Sequence, residues 1–200
     1  MSVLLSLMLA AAPVYGTKPD DLAVEALHNF GACVVKMTPS GAEEVLALDY
    51  RTDEYRERLS RLARGHDRCT RPRTELQFNG VLFAGAMAEA LLEEPGKKVL
   101  TRLSAADELT APIAARSPLE AMALCSVITR PAAVGRLLES EVASDLEAEA
   151  AEALGPTLSA CLSGTDKAEL NRPALRSVLA LAAWRIASAT ESHSNAEGAE

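Results

Sequence analysis

Three side chains within four positions, His66, Asp67 and Cys69, supply the parts of a cysteine nucleophile with a neighbouring base. That chemistry needs a free thiolate, so it falls away if Cys69 is held in a disulfide. An imidazole near a helix end then has an ordinary explanation in the partial negative charge of the last carbonyls. The same region carries eight arginines between Arg51 and Arg73, alongside four acids. Arg61, Arg64 and Arg68 are spaced to share a helix face, where several guanidinium groups could hold a phosphate, sulfate or carboxylate. The plainer reading is a solvated face laced by i,i+4 pairs, Glu54 with Arg58 and Glu57 with Arg61.

An acidic counterpart follows in Glu139, Glu141, Asp145, Glu147, Glu149 and Glu152, with no base among them. These carboxylates read as a solubilising helix face, and they lack the Asp/Asn/Gly loop spacing of a calcium site. Zinc fits poorly as well, because His28, His66 and His193 are scattered and there is no Cys-x-x-Cys. The chain has no Gly-x-Ser-x-Gly elbow, phosphate-cradling glycine loop or His-Glu-x-x-His helix. The expectation is a chain with no catalytic residues, no metal and no cofactor.

The four cysteines carry the strongest pattern. Sliding the sequence against itself by 92 positions lays Cys33 on Cys125 and Cys69 on Cys161, so each pair is separated by 36 residues. The same shift matches Val35 with Val127, Pro39 with Pro131, Leu46 with Leu138 and Asn79 with Asn171. A duplicated unit follows, and its equal spacing selects Cys33 with Cys69 and Cys125 with Cys161 from the three possible connectivities. Each closed loop would restrict the unfolded chain by about 4 kcal/mol.

Cys-x-Val with a proline six positions after the cysteine, a second cysteine, and then Asn-Arg-Pro-Ala-Leu-Arg over Asn171 to Arg176 resembles a group of uncharacterised exported two-disulfide helical-repeat proteins of Gram-negative bacteria. The resemblance covers most of the chain beyond the leader. It implies export and disulfides, and assigns no activity or functional residue.

The elements that must position these residues are helices. Hydrophobic residues are 48% of the chain but aromatics only 4%, a balance set by Ala and Leu, which lose little side-chain entropy in a helix. Residues 1–16 form an uncharged apolar leader whose length suits a signal peptide and is too short for a bilayer span. The fold expected is all-α, two tandem disulfide-clamped units of about four helices each: unit 1 over 17–95, a linker over 96–116, unit 2 over 117–189 and a disordered tail over 190–200. In unit 1 the pattern gives helices from Asp20 to Val35, from a Ser40/Glu43 capping box, from Asp53 to Arg64, and after an Asn79 cap. In unit 2, Ser117 and Glu120 box a helix running to Thr129, a second runs from Ala132, breaks near Ser144 and ends at Gly155 and Pro156, and Asn171 caps the last.

A net charge of -8 argues against a general nucleic-acid binder, which needs excess Lys and Arg to displace counterions. No stable membrane insertion is expected. The location expected is periplasmic or secreted, and the function a non-catalytic interaction module of the cell envelope docking on a protein partner. The alternative is a binding protein for a lipid or other small amphiphile, which would show as an apolar cavity between helices; the many Ala argue for close packing and little room.

Overall fold

The computed structural model describes residues 20–70, 80–93, 99–104, 113–162 and 170–197. The expected leader over 1–16, the Asn79 cap, much of the linker and the last three residues lie outside them. Among the described residues the chain is all helical: α1 Asp21–Met37, α2 Pro39–Ala47, α3 Asp53–Arg64, a 3-10 turn Asp67–Cys69, α4 Gly80–Leu92, α5 Val99–Ser104, α6 Pro118–Thr129, α7 Pro131–Glu139, α8 Asp145–Cys161 and α9 Arg172–Glu197.

Local chemistry accounts for most of these boundaries. Asp20, Thr52, Ser117, Ser144 and Asn171 each accept a backbone N–H in the first turn of α1, α3, α6, α8 and α9. The Ser40/Glu43 box does not form. Helix α2 starts at Pro39, whose fixed φ suits the first helical position, and its N-cap Thr38 makes no side-chain cap because its hydroxyl is bonded to His66 Nε2 at 2.8 Å. Nor does α8 stop at Gly155 and Pro156. Burial of Leu154, and packing of Leu158 on the core, offset the one N–H that proline lacks, and the helix continues to deliver Cys161. The final helix also outruns the sequence pattern: Thr190, assigned to a disordered tail, is buried in α9 and donates its Oγ1–H to the Ile186 carbonyl.

Helices α4 and α9 are apolar around most of their circumference and form the centre, each packing most extensively on the other. Helix α1 covers the far side of α4 and α6 that of α9, while α2–α3 and α7–α8 close the flanks. One continuous core results, running from Phe30, Val34 and Phe83 through Met87 to Leu138, Leu179 and Ile186. The stretch read as a linker contributes to it, since Val99 and Leu103 of α5 are buried and α5 packs on α7.

The first residues of α2 and α7, of α3 and α8, and of α4 and α9 are each 92 positions apart, as are the last residues of α1 and α6. At the centre Gly85 meets Ser177, again 92 positions on. A Cβ on Gly85 would lie 2.3 Å from the Ser177 Cβ and 2.5 Å from its Cα, so glycine is what lets α4 and α9 approach.

The disulfides are Cys33–Cys69 and Cys125–Cys161, each with a Cα–Cα distance of 5.7 Å, and they fasten α1 to the turn after α3 and α6 to the end of α8. Non-reducing peptide maps should show only these two links. Reduction should lower the melting temperature by about 6–16 °C per bridge, from roughly 3–4 kcal/mol each in a protein of this size. Four alkylatable thiols, or crossed links, would refute this pairing. One glycine substitution reads out the central crossing in denaturant titration. Gly85→Ala forces the central pair apart and should cost about 1–3 kcal/mol.

Candidate functional site

Of the side chains that suggested a nucleophile, Cys69 is bridged and His66 is a structural staple. The Leu62 carbonyl can only accept, so His66 Nδ1 donates to it at 2.8 Å, while Nε2 shares a hydrogen bond with the Thr38 hydroxyl at 2.8 Å. The ring thereby ties the end of α3 to the joint between α1 and α2.

The arginine trio does not gather at one point. Helix α3 ends at Arg64, so Arg68 falls on the separate 3-10 turn. Arg61 and Arg68 are exposed and make no ion pair among the described residues. Of the anticipated pairs, Glu54 with Arg58 forms at 3.0 Å. Arg64, unlike Arg61 and Arg68, lines one concave surface. That surface is a cleft of about 890 Å³, well within the range of small-ligand sites.

The cleft's walls come from α3 (Tyr55, Leu59), the start of α4 (Phe83) and α9 (Val178, Leu181), and they are mainly apolar. Burial among these groups pushes the Tyr55 phenol up to about 12. Four arginines and two acids, Asp67 and Glu120, also line it. Most of these charges are committed. Arg185 pairs with Glu120 and donates to the Ala114 carbonyl, and Arg56 pairs with Asp53. Arg116 donates to the carbonyls of Leu48 at 2.9 Å and Ala47 at 3.4 Å, closing the C-terminal end of α2.

A second cluster, absent from the sequence reading, lies where the other half of the chain has its matching surface. Arg176 is 4% exposed and is gripped by Glu89 and Glu147, themselves 2% and 0% exposed. Its Nε donates to Glu89 Oε2 at 2.8 Å and Nη1 to Glu147 Oε1 at 3.1 Å; Nη2 reaches Glu89 Oε1 and the carbonyls of Leu138 and Ser140. His28 Nε2 bonds Glu89 at 3.0 Å, and Arg172 pairs with Glu147 at 3.1 Å. Glu147 is therefore no part of a solvated acidic face: it accepts the Ala143 N–H at the start of α8 and turns both oxygens inward. A lone acid in the apolar run of α4 and a lone base between Leu175 and Leu179 were the available sequence signals.

The two surfaces correspond position by position. At a shift of 92, Leu138, Ser140 and Glu147, which hold Arg176, fall on Leu46, Leu48 and Tyr55, which line the cleft. Likewise Glu89 falls on the cleft residue Leu181, and Arg176 itself falls on Ala84. One half thus fills its flank with a guanidinium. The other has alanine there, carries the cleft among the described residues, and has Arg116 serve the α2 carbonyls from the rim.

The perturbed groups of the cluster are enclosed, which fits a structural ion network. Burial would raise the Glu89 carboxyl, but hydrogen bonds from Arg176 and His28 outweigh it and hold it below 4.5. A carboxyl depressed on folding adds stability that is complete above 4.5 and is lost as pH falls through the lower folded value. Melting temperature should therefore drop on acidification in that window, and Glu89→Gln should flatten the slope. Arg176→Met should cost about 3–5 kcal/mol at neutral pH, because two buried carboxylates lose the cation they share; a loss under 1 kcal/mol would show the network is dispensable. Among the described residues there is no grouping of three or more potential metal ligands, and no single helix is long and apolar enough to cross a membrane. Comparison with protein-family models, curated proteins and solved structures found no match for the chain.

Proposed function

We propose that this chain is an exported, non-catalytic binding protein that holds a small apolar or amphiphilic ligand in the cleft between α3, α4 and α9. The observation that carries the reading is the difference between the flanks: the second is closed by its own Arg176, and the first is left open and apolar at matching positions. The cleft supplies the room that an Ala-rich composition argued against. In this reading the chain arose by duplication of a disulfide-bridged unit. One copy kept a vacancy while the other exchanged it for an ion cluster.

Two bridges favour an oxidising compartment, where disulfides persist. The signal-like leader over 1–16 and the resemblance to exported proteins support the same reading, in which the mature chain starts near Thr17 and lies in the periplasm or outside the cell. Docking on an envelope protein through charged helix surfaces is the competing role, and salt-sensitive association would be its mark.

The test is a fluorescence titration of the oxidised protein with N-phenyl-1-naphthylamine, an uncharged probe that brightens in apolar surroundings. Saturable binding of one probe per chain is expected. Leu181→Trp, which adds bulk to a half-buried cleft wall, should weaken it about tenfold or more without lowering the melting temperature. No saturable binding by the unaltered chain would sink the proposal.

A further inference from the structure

We infer that the ligand is a free single-chain amphiphile with a carboxylate head, its tail in the cleft and its head on Arg64; this rests on the binding role proposed above. The first argument is charge. The cleft lining carries Arg56, Arg64, Arg116 and Arg185 against Asp67 and Glu120, a local excess of two positive charges in a chain whose net charge is -8. Such a patch against the global sign favours an anion at the mouth and an apolar body within.

The second argument is that Arg64 differs from its neighbours in what it has left to give. Arg116 is spent on helix carbonyls, Arg185 on Glu120 and Arg56 on Asp53. Among the described residues Arg64 makes one hydrogen bond, from Nε to the Ser60 carbonyl at 3.2 Å. A guanidinium has five N–H groups in a rigid fork, so this bond fixes the plane and leaves the four on the two terminal nitrogens free. Two parallel N–H groups aimed one way match the two oxygens of a carboxylate. Helix α3 sets this up by sequence: Leu59 faces the core and Ala63 the cleft wall, and Arg64 follows at the last turn, one step round the helix, beside the opening.

The tail has its own complement. Leu59, Val178 and Leu181 present an apolar lining, and the partly exposed Tyr50 extends it. A compact polar solute would leave that lining wet, whereas a single alkyl chain would cover it.

The experiment displaces bound N-phenyl-1-naphthylamine with monomeric dodecanoate or dodecanol, two ligands that share a tail and differ in the head. Dodecanoate should bind about tenfold or more tightly than dodecanol, since hydrogen bonds to a charged group are the stronger kind. Arg64→Gln should erase that preference and leave dodecanol binding unchanged; Arg64→Lys, which keeps charge but loses the fork, should restore part of it. Arg61→Gln, one turn back and outside the cleft, should alter neither. Equal displacement by the two ligands, or an Arg64→Gln effect on both alike, would overturn the inference while leaving the binding role intact. Failure of both amphiphiles to displace a bound probe would overturn the amphiphile class. Co-flotation with phosphatidylglycerol vesicles in preference to binding dodecanoate would overturn the free ligand in favour of a membrane surface. Absence of probe binding would instead remove the binding role beneath it.

Discussion

A single buried guanidinium joins the two halves of this protein. Arg176 projects from α9 and is neutralised by Glu89 of α4 and Glu147 of α8, while its remaining donors take the carbonyls at the end of α7. Removing three charged groups from water is costly, and mutual attraction offsets that cost only when every polar atom finds a partner. Here the partners come from four helices, so the helices must arrive together for the cluster to be tolerable. The short contact of Gly85 with Ser177 adds a steric constraint at the same central crossing. Together they fix how α4 lies on α9.

The same frame solves one problem twice. The short helices α2 and α7 each end with carbonyls that need donors. On α7 Arg176 supplies them from within the core, and on α2 Arg116 supplies them from the rim. The first solution fills the flank and requires acids at positions 89 and 147. The second leaves a cleft among the described residues and permits leucine at 181 and tyrosine at 55. An apolar cleft is thus the by-product of where one cation enters, and it becomes a binding site once its lining and rim suit a ligand.

An open cleft also needs a wall that does not collapse into it. Helix α3 is a short, strongly charged element whose inward contacts are Tyr55, Leu59 and Leu62. Its far end is held by the Cys33–Cys69 bridge and by His66, which links the Leu62 carbonyl to the Thr38 hydroxyl. Cross-linking lowers the entropy of the unfolded chain without adding bulk to the core. That suits a small domain which stabilises itself and still keeps space.

Sequence alone determined what is local or periodic. Helix-forming composition, capping residues such as Ser117 and Asn171, and equal cysteine spacing fixed the class, most boundaries and both bridges, because each depends on neighbours within a turn or on a spacing that counting reveals. The spacing that put Arg68 on a face with Arg61 and Arg64 assumed a helix that Gly65 ends. The acidic run looked uniform, yet Glu147 is wholly buried while Glu149 and Glu152 are exposed, a distinction set by helix register and by what lies opposite. Only the tertiary structure brought Glu89, Glu147 and Arg176 together across large sequence separations, and only it showed the cleft. A cavity is the volume that packing leaves over, a property of all its walls at once, and no one segment of the chain encodes it.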